Sequence, residues 1–247
     1  MHVFRSALLS VLVITAIAAQ SPVPPLSDTR LTVHTLVRED IFAGFMSDNL
    51  DRLARAERNI EVLLEDRPAQ RANLLAWKAG ASLYRAVIAH ESGKPDDFSR
   101  LYDEARAGFA EAATLESGND GVQAVIGGTL AIFADRLPED RRAAAWAQAY
   151  DAYSMLWKAQ GPMVEKLPVH FKGELLAGLT QSAQRTGRAD ETTQHLERML
   201  VLLAGTRYEP MAQQWKTDPS SAATTNLTCK NCHNPGRLAA RLAALDK

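Results

Sequence analysis

The sequence predicts an all-α protein: antiparallel helix pairs stacked as a right-handed solenoid, followed by a separate C-terminal segment. Three observations carry this expectation. Alanine, leucine, arginine and glutamate dominate the middle of the chain, and these residues lose little freedom in a helix. Runs of alternating β-branched residues, the mark of strands, are missing there. Proline or glycine punctuates the chain at intervals of about 20 to 25 residues, as expected for helix pairs.

The N-terminal stretch carries Arg5 and no acid, then an apolar run from Ala7 to Ala19 relieved only by Ser10 and Thr15. It reads as a secretory signal peptide over residues 1–19, with Ala16, Ala18 and Ala19 offering small residues for cleavage. The run is shorter than the roughly 20 residues a bilayer span needs, although retention as an anchor stays open as an alternative. Export implies the periplasm in a Gram-negative cell. Residues 20–36, opening with Ser21-Pro22-Val23-Pro24-Pro25, read as an extended linker.

Residues 37–205 are expected to be the helical body. Ile41, Phe42, Phe45, Met46, Leu50, Leu53, Ile60, Leu63 and Leu64 recur at three and four, with a break near Ser47 to Asp51 that divides them into two helices. Further pairs are predicted at about 70–90 with 96–116, 120–136 with 139–159, and 164–185 with 189–204. Leu137-Pro138-Glu139, Gly161-Pro162 and Thr186-Gly187-Arg188 are the turn signals.

The spacing of Gly44, Ala56, Ile60, Leu63 and Pro68 resembles the tetratricopeptide repeat family, in which small residues stand where paired helices touch. Trp77, Ala81 and Tyr84 match a first helix of that family, and Ala105, Phe109 and Ala112 a second. About twelve extra residues around Gly93-Lys94-Pro95 separate these halves, and Ser117 replaces the terminating proline. The later units, Gly127 to Tyr153 and Leu176 to Met199, keep only the pair layout. The resemblance implies a concave surface that docks a peptide or protein.

Residues 206–247 hold both cysteines of the chain, in Cys229-Lys230-Asn231-Cys232-His233. Cys-x-x-Cys-His is the attachment signature of c-type haem: two thiols reach the two vinyl groups of one porphyrin edge, and the following histidine turns to the iron. Chance assembly from this composition has odds on the order of 10⁻⁴. A disulfide and a zinc site are the chemical alternatives, and zinc finds no further cysteine or His-rich cluster in the sequence. Cys229, Cys232 and His233 are therefore the expected cofactor-binding residues for one covalent haem c, with His233 on the metal.

The motif, with Arg237 four residues beyond it and a basic end, resembles the close of class II cytochromes, the cytochrome c′ type. Pro235-Gly236 departs from that pattern by interrupting the helix after His233. The arrangement of class I cytochromes is disfavoured, because Asn234 to Lys247 contains neither Met nor His. A sixth ligand must come from upstream, and Met211 is the expected candidate, with His195 or His170 or an open site as alternatives. Thr217 to Thr228 reads as a flexible tether, and Trp215, Tyr208 and Leu227 as cover for the porphyrin. Leu238, Leu242 and Leu245 form an apolar stripe expected to pack beside the haem or on the last repeat helix, with Arg237 or Arg241 free to pair with a propionate.

Composition excludes other classes. The formal net charge is −1, one unit more acidic without the single arginine of residues 1–19, so no nucleic-acid partner is implied. No Gly-x-Ser-x-Gly elbow, Gly-x-x-x-x-Gly-Lys loop or His-Glu-x-x-His pair occurs, and no catalytic residue is nominated. The expectation is an exported monohaem c-type cytochrome serving electron transfer, with a redox partner docked on the repeats. The alternatives are a periplasmic adaptor with an accessory haem, and a haem gas sensor or enzyme with an open distal site.

Overall fold

The computed structural model describes residues 24–224 and 235–246, and among them the regular structure is helical, with no strand. The protein is all-α. The signal-peptide stretch and the Cys229 to His233 motif lie outside the described residues.

The first pair is α1 (Leu36–Ser47) and α2 (Leu50–Asp66), the second α3 (Arg71–Glu91) and α4 (Pro95–Leu115). The third is α5 (Asp120–Phe133) and α6 (Glu139–Gln160), the fourth α7 (Val169–Arg185) and α8 (Ala189–Leu202). Each helix packs on its sequence neighbour within the pair, and α3 packs on α1 and α5, and α5 on α7, so the first helices of the pairs meet one another. Local chemistry sets the boundaries. Asp48 takes a left-handed φ of 51° that ends α1, and the Asn49 side chain then accepts the Arg52 backbone N–H at 3.1 Å to start α2. Asn119 does the same for α5, accepting from Val122 N–H at 3.2 Å. Pro95 sits at the first position of α4, where its missing N–H costs nothing, and Asp96 and Asp97 favour that positive end.

The extra residues between the second pair's halves do not form a loop. Gly93, with φ of 68°, turns the chain in three residues, and the surplus is absorbed as length, both helices having 21 residues. In the fourth pair α7 begins at Val169 rather than near 164, because residues 161–166 wind as a 3-10 turn and Pro168 blocks continuation.

Close approach between pairs depends on glycine. Tyr153 of α6 is fully buried, and a Cβ built on Gly178 of α7 would lie 2.2 Å from its ring, while one on Gly127 of α5 would lie 3.1 Å from it. Asp135, in the turn after α5, accepts from Trp146 Nε1 at 2.8 Å and from Arg185 Nη1 at 2.5 Å, joining α6 and α7 to that turn. Arg185 also lies over the Trp146 ring at 4.8 Å.

Three expectations about the ends change. Residues 20–36 are not a linker throughout: Leu31 and Val33 are buried in the main core, held by a turn in which Leu31 N–H reaches Asp28 O at 3.0 Å. The stretch from Thr217 is not a tether over its described part, because α9 (Glu209–Thr217) is followed by α10 (Ser220–Thr224), with Ser221 and Ala222 buried. Ala222 fills a second core cluster with α8 and α9, which small residues do as readily as they form linkers. Finally, α11 (Pro235–Leu245) packs on α1, the first helix, and not on the last repeat helix. Leu238 is 1 % exposed in the main core and Leu242 packs against it. Asp246 pairs with Arg52, and Arg30 donates to the Leu245 carbonyl, so the described C-terminus is fixed to the N-terminal pair.

Candidate functional site

A cavity of about 350 Å³ opens among α1, α3, α5, α7 and α11, within the roughly 300–1,000 Å³ range of small-molecule sites. Its space originates in the sequence of α5. Gly121, Ala124, Val125 and Gly128 recur at three and four along that helix and line the cavity with little side-chain volume. Large rings supply the opposing walls. Phe42 of α1 and Trp77 of α3 meet edge to face, with centroids 5.7 Å apart, and Phe171 of α7 is 53 % exposed beside them.

The polar lining is predominantly basic. Arg38 of α1 and Arg241 of α11 both enter it, with His34 from the turn before α1 and His170 of α7, while Glu174 is its acid. Glu39, 2 % exposed, holds the two guanidiniums together: its Oε1 is 2.9 Å from Arg38 Nη2 and 3.6 Å from Arg241 Nη1. One carboxylate therefore faces two cations, and the cavity keeps a positive excess suited to an acidic ligand. His170 Nε2 lies 3.7 Å from Glu174 Oε2, one helical turn on. Burial, followed by the positive charges of Arg207, Arg241 and Arg38, holds the His170 pKa below its ordinary value, so the imidazole is neutral at neutral pH. Burial pushes the Glu174 carboxyl up to about 7.

The expected residues separate into groups. Cys229, Cys232 and His233 fall outside the described residues, as does Leu227. Met211 sits on α9, 6 % exposed, in the second core cluster with Met199, Leu203 and Trp215. Trp215 and Tyr208 are fully buried in that same cluster, so they fill the core where cover for a porphyrin was expected. His195 is 5 % exposed, its ring 5.6 Å from Trp157 and its Nδ1 3.2 Å from Arg198 Nη1. Only His170 and Arg241, of the side chains the sequence suggested, meet at one described cavity. Arg38, Glu174 and Trp77 were not expected there. The rhythm of Gly121, Ala124 and Gly128 along α5 was the available signal, because a buried helix that repeats small residues at three and four leaves either a close helix approach or a hollow.

Among the described residues no three His, Cys, Asp or Glu side chains are grouped to hold a metal ion, and no helix is long and apolar enough to cross a membrane. The fold and the cavity define an all-helical protein of paired helices that encloses an aromatic-walled, basic-rimmed cavity closed on one side by its C-terminal helix. No family model, no curated protein and no solved structure matches the chain.

Proposed function

We propose that the protein is an exported, periplasmic monohaem c-type cytochrome that transfers electrons, on a tetratricopeptide-like right-handed solenoid that docks a protein partner. The observation that carries the reading is Cys229-Lys230-Asn231-Cys232-His233 in a chain that opens with a signal-peptide pattern. Cys229 and Cys232 hold the porphyrin through thioethers, and His233 is the proximal ligand. Bound haem supplies a one-electron ferric/ferrous couple.

What supports the cavity as a neighbour of such a group is the kind of side chain that lines it. Guanidiniums from Arg38 and Arg241 suit carboxylates such as propionates, Phe42, Trp77 and Phe171 suit a macrocycle face, and neutral imidazole suits iron. In the sequence the motif directly precedes α11, Pro235 standing two residues after His233. The cavity side chains would orient the group and exclude water from its edge, which tunes a redox potential. The meeting of α1, α3, α5 and α7 supports a solenoid whose first helices line one face.

Full-length protein from a host that matures c-type cytochromes should give a pyridine haemochrome spectrum of the c type. Colourless protein with two free thiols or one disulfide would sink the proposal. His233→Ala separates carrier from adaptor: a carrier loses electron transfer and its cellular role together, whereas an adaptor still binds its partner.

A further inference from the structure

We propose that the cavity among α1, α3, α5, α7 and α11 is a binding site for a small diffusible ligand, a planar aromatic carboxylate of about two rings, held by Arg241 and Arg38 between Phe42, Trp77 and the small residues of α5. The residues that form it lie outside the cysteine motif, so the site is independent of the haem.

Three polar side chains line the cavity with no hydrogen-bond partner among the described residues. Thr129 is 3 % exposed. Thr114, Thr180 and Thr192 each donate to the carbonyl four residues back, as helical threonines commonly do. Thr129 makes no such bond, and its Oγ1 lies 3.3 Å from where a Cβ on Gly80 of α3 would stand. Asn73 of α3 stands over Gly121, its Oδ1 2.9 Å from a Cβ built there. The third is Arg241, whose Nη1 is 3.6 Å from Glu39 Oε1, an ion-pair distance longer than a hydrogen bond. Buried polar groups are costly to leave unpaired, and a ligand with polar atoms would pair them.

Shape and charge narrow the class of ligand. An apolar cavity of about 150 Å³ holds one benzene, so about 350 Å³ has room for about two rings. Gly121, Ala124 and Gly128 give α5 a face without bulk, and the edge-to-face rings of Phe42 and Trp77 form a wall against it. Gly121 and Thr129 are eight residues apart on α5, about 12 Å along its axis, which makes a slot longer than one ring. Arg38 and Arg241 share the single carboxylate of Glu39, so one cation is in excess. A guanidinium fork binds a carboxylate through two parallel bonds. Glu174 opposes an anion less than an ordinary carboxylate does, because burial pushes its carboxyl up to about 7.

The test is calorimetric titration of the full-length protein with 2-naphthoate and with 2-naphthamide, which keeps the shape and lacks the charge. The acid should bind saturably at one site per chain, and the amide about ten-fold more weakly or worse. Arg241→Gln should weaken the acid by about ten-fold and leave the amide unchanged, a split that a loss of structure would not produce. Ala124→Phe, which fills the slot, should abolish binding of both with an unchanged circular dichroism spectrum. Arg241→Gln decides the question even where Ala124→Phe disturbs the fold, because the arginine side chain is 46 % exposed. No saturable binding of 2-naphthoate at millimolar concentration, equal affinity for acid and amide, or wild-type affinity for the acid in Arg241→Gln would each overturn the proposal. The cytochrome reading fails by a different measurement, the haemochrome spectrum.

Discussion

Arg241 of the last helix reaches Glu39 of the first, Nη1 to Oε1 at 3.6 Å, and so brings the chain from just beyond the cysteine motif back to the N-terminal pair. The bond is accompanied by apolar anchoring, Leu238 being 1 % exposed. A single ion pair at 3.6 Å whose arginine is 46 % exposed contributes on the order of 1 kcal/mol, whereas truncating a buried leucine costs about 2–5 kcal/mol. Leucine is therefore the stronger anchor. In Leu238→Asp, amide exchange of residues 235–246 should rise to that of an unfolded segment while α3 and α4 keep their protection. Unchanged protection in α11, read by mass spectrometry, would show that the helix is held some other way.

Two glycines should respond differently to the same methyl group. Gly178 faces the buried Tyr153 ring, where an added Cβ would stand 2.2 Å away, and Gly187 has open space but a φ of 72°. Overpacking costs about 1–3 kcal/mol, and a left-handed conformation about 1–2 kcal/mol in a residue with a side chain. Gly178→Ala combined with Tyr153→Leu should recover part of its loss, because the substitutions share one space. Gly187→Ala with Tyr153→Leu should simply add. Equal additivity in both cycles, measured by urea denaturation, would contradict the packing assigned to Tyr153.

These glycines also show which parts of the fold were legible in the sequence. Gly44, Ala56, Ile60 and Leu63 announced the first pair because each sits where helices touch, and Ala56, Ile60 and Leu63 are fully buried as that spacing requires. The helix pairs from α1 to α8 follow from periodicity and turn residues, which are local. The docking of α11 on α1 was not legible, since an apolar stripe of Leu238 and Leu242 names no partner and its surface lies some two hundred residues away. Ser220 to Thr224 misled for a related reason. Small polar residues signal a linker unless a neighbouring core is there to bury them, as the one formed with α7 and α9 does. At the site, Arg241 could be suggested from sequence, but Arg38 and Glu174 gained meaning only when three helices converged on the hollow left by Gly121 and Gly128.

Asp40 tests a buried charge. It is fully buried and accepts from Arg52 Nη1 at 2.9 Å and from Arg55 Nε and Nη2 at 2.7 Å each. Removing one partner of a buried pair leaves the other uncompensated, at a cost of about 3–5 kcal/mol. Asp40→Ala should lower stability by that amount. Asp246→Ala removes a partner of the same arginines whose side chain is 45 % exposed, and it should cost less than about 1 kcal/mol. Similar denaturation midpoints for the two variants would contradict the burial argument.

His195 gives the helical body an acid-labile element of predictable sign. Burial, and then the charge of Arg198, lower its pKa to about 4 from 6.5, while Glu191 opposes weakly. Arg198 Nη1 at 3.2 Å donates to a neutral Nδ1, a bond that protonation of the ring would replace with repulsion. The unfolded chain takes up a proton near pH 6.5 that the folded protein refuses until about pH 4. Stability from this group is thus complete above pH 6.5 and declines as pH falls toward 4. A shift of this size corresponds to an upper bound of about 3 kcal/mol, which solvent screening reduces to on the order of 1–2 kcal/mol. His195→Gln keeps a polar side chain of similar size beside Trp157 and Arg198 but does not titrate. Between pH 7 and pH 4.5 its urea midpoint should fall less steeply than that of wild type, by a difference of about 1–2 kcal/mol. Parallel pH profiles would mean that His195 is protonated in the folded protein, and that the Arg198 contact is not the one described.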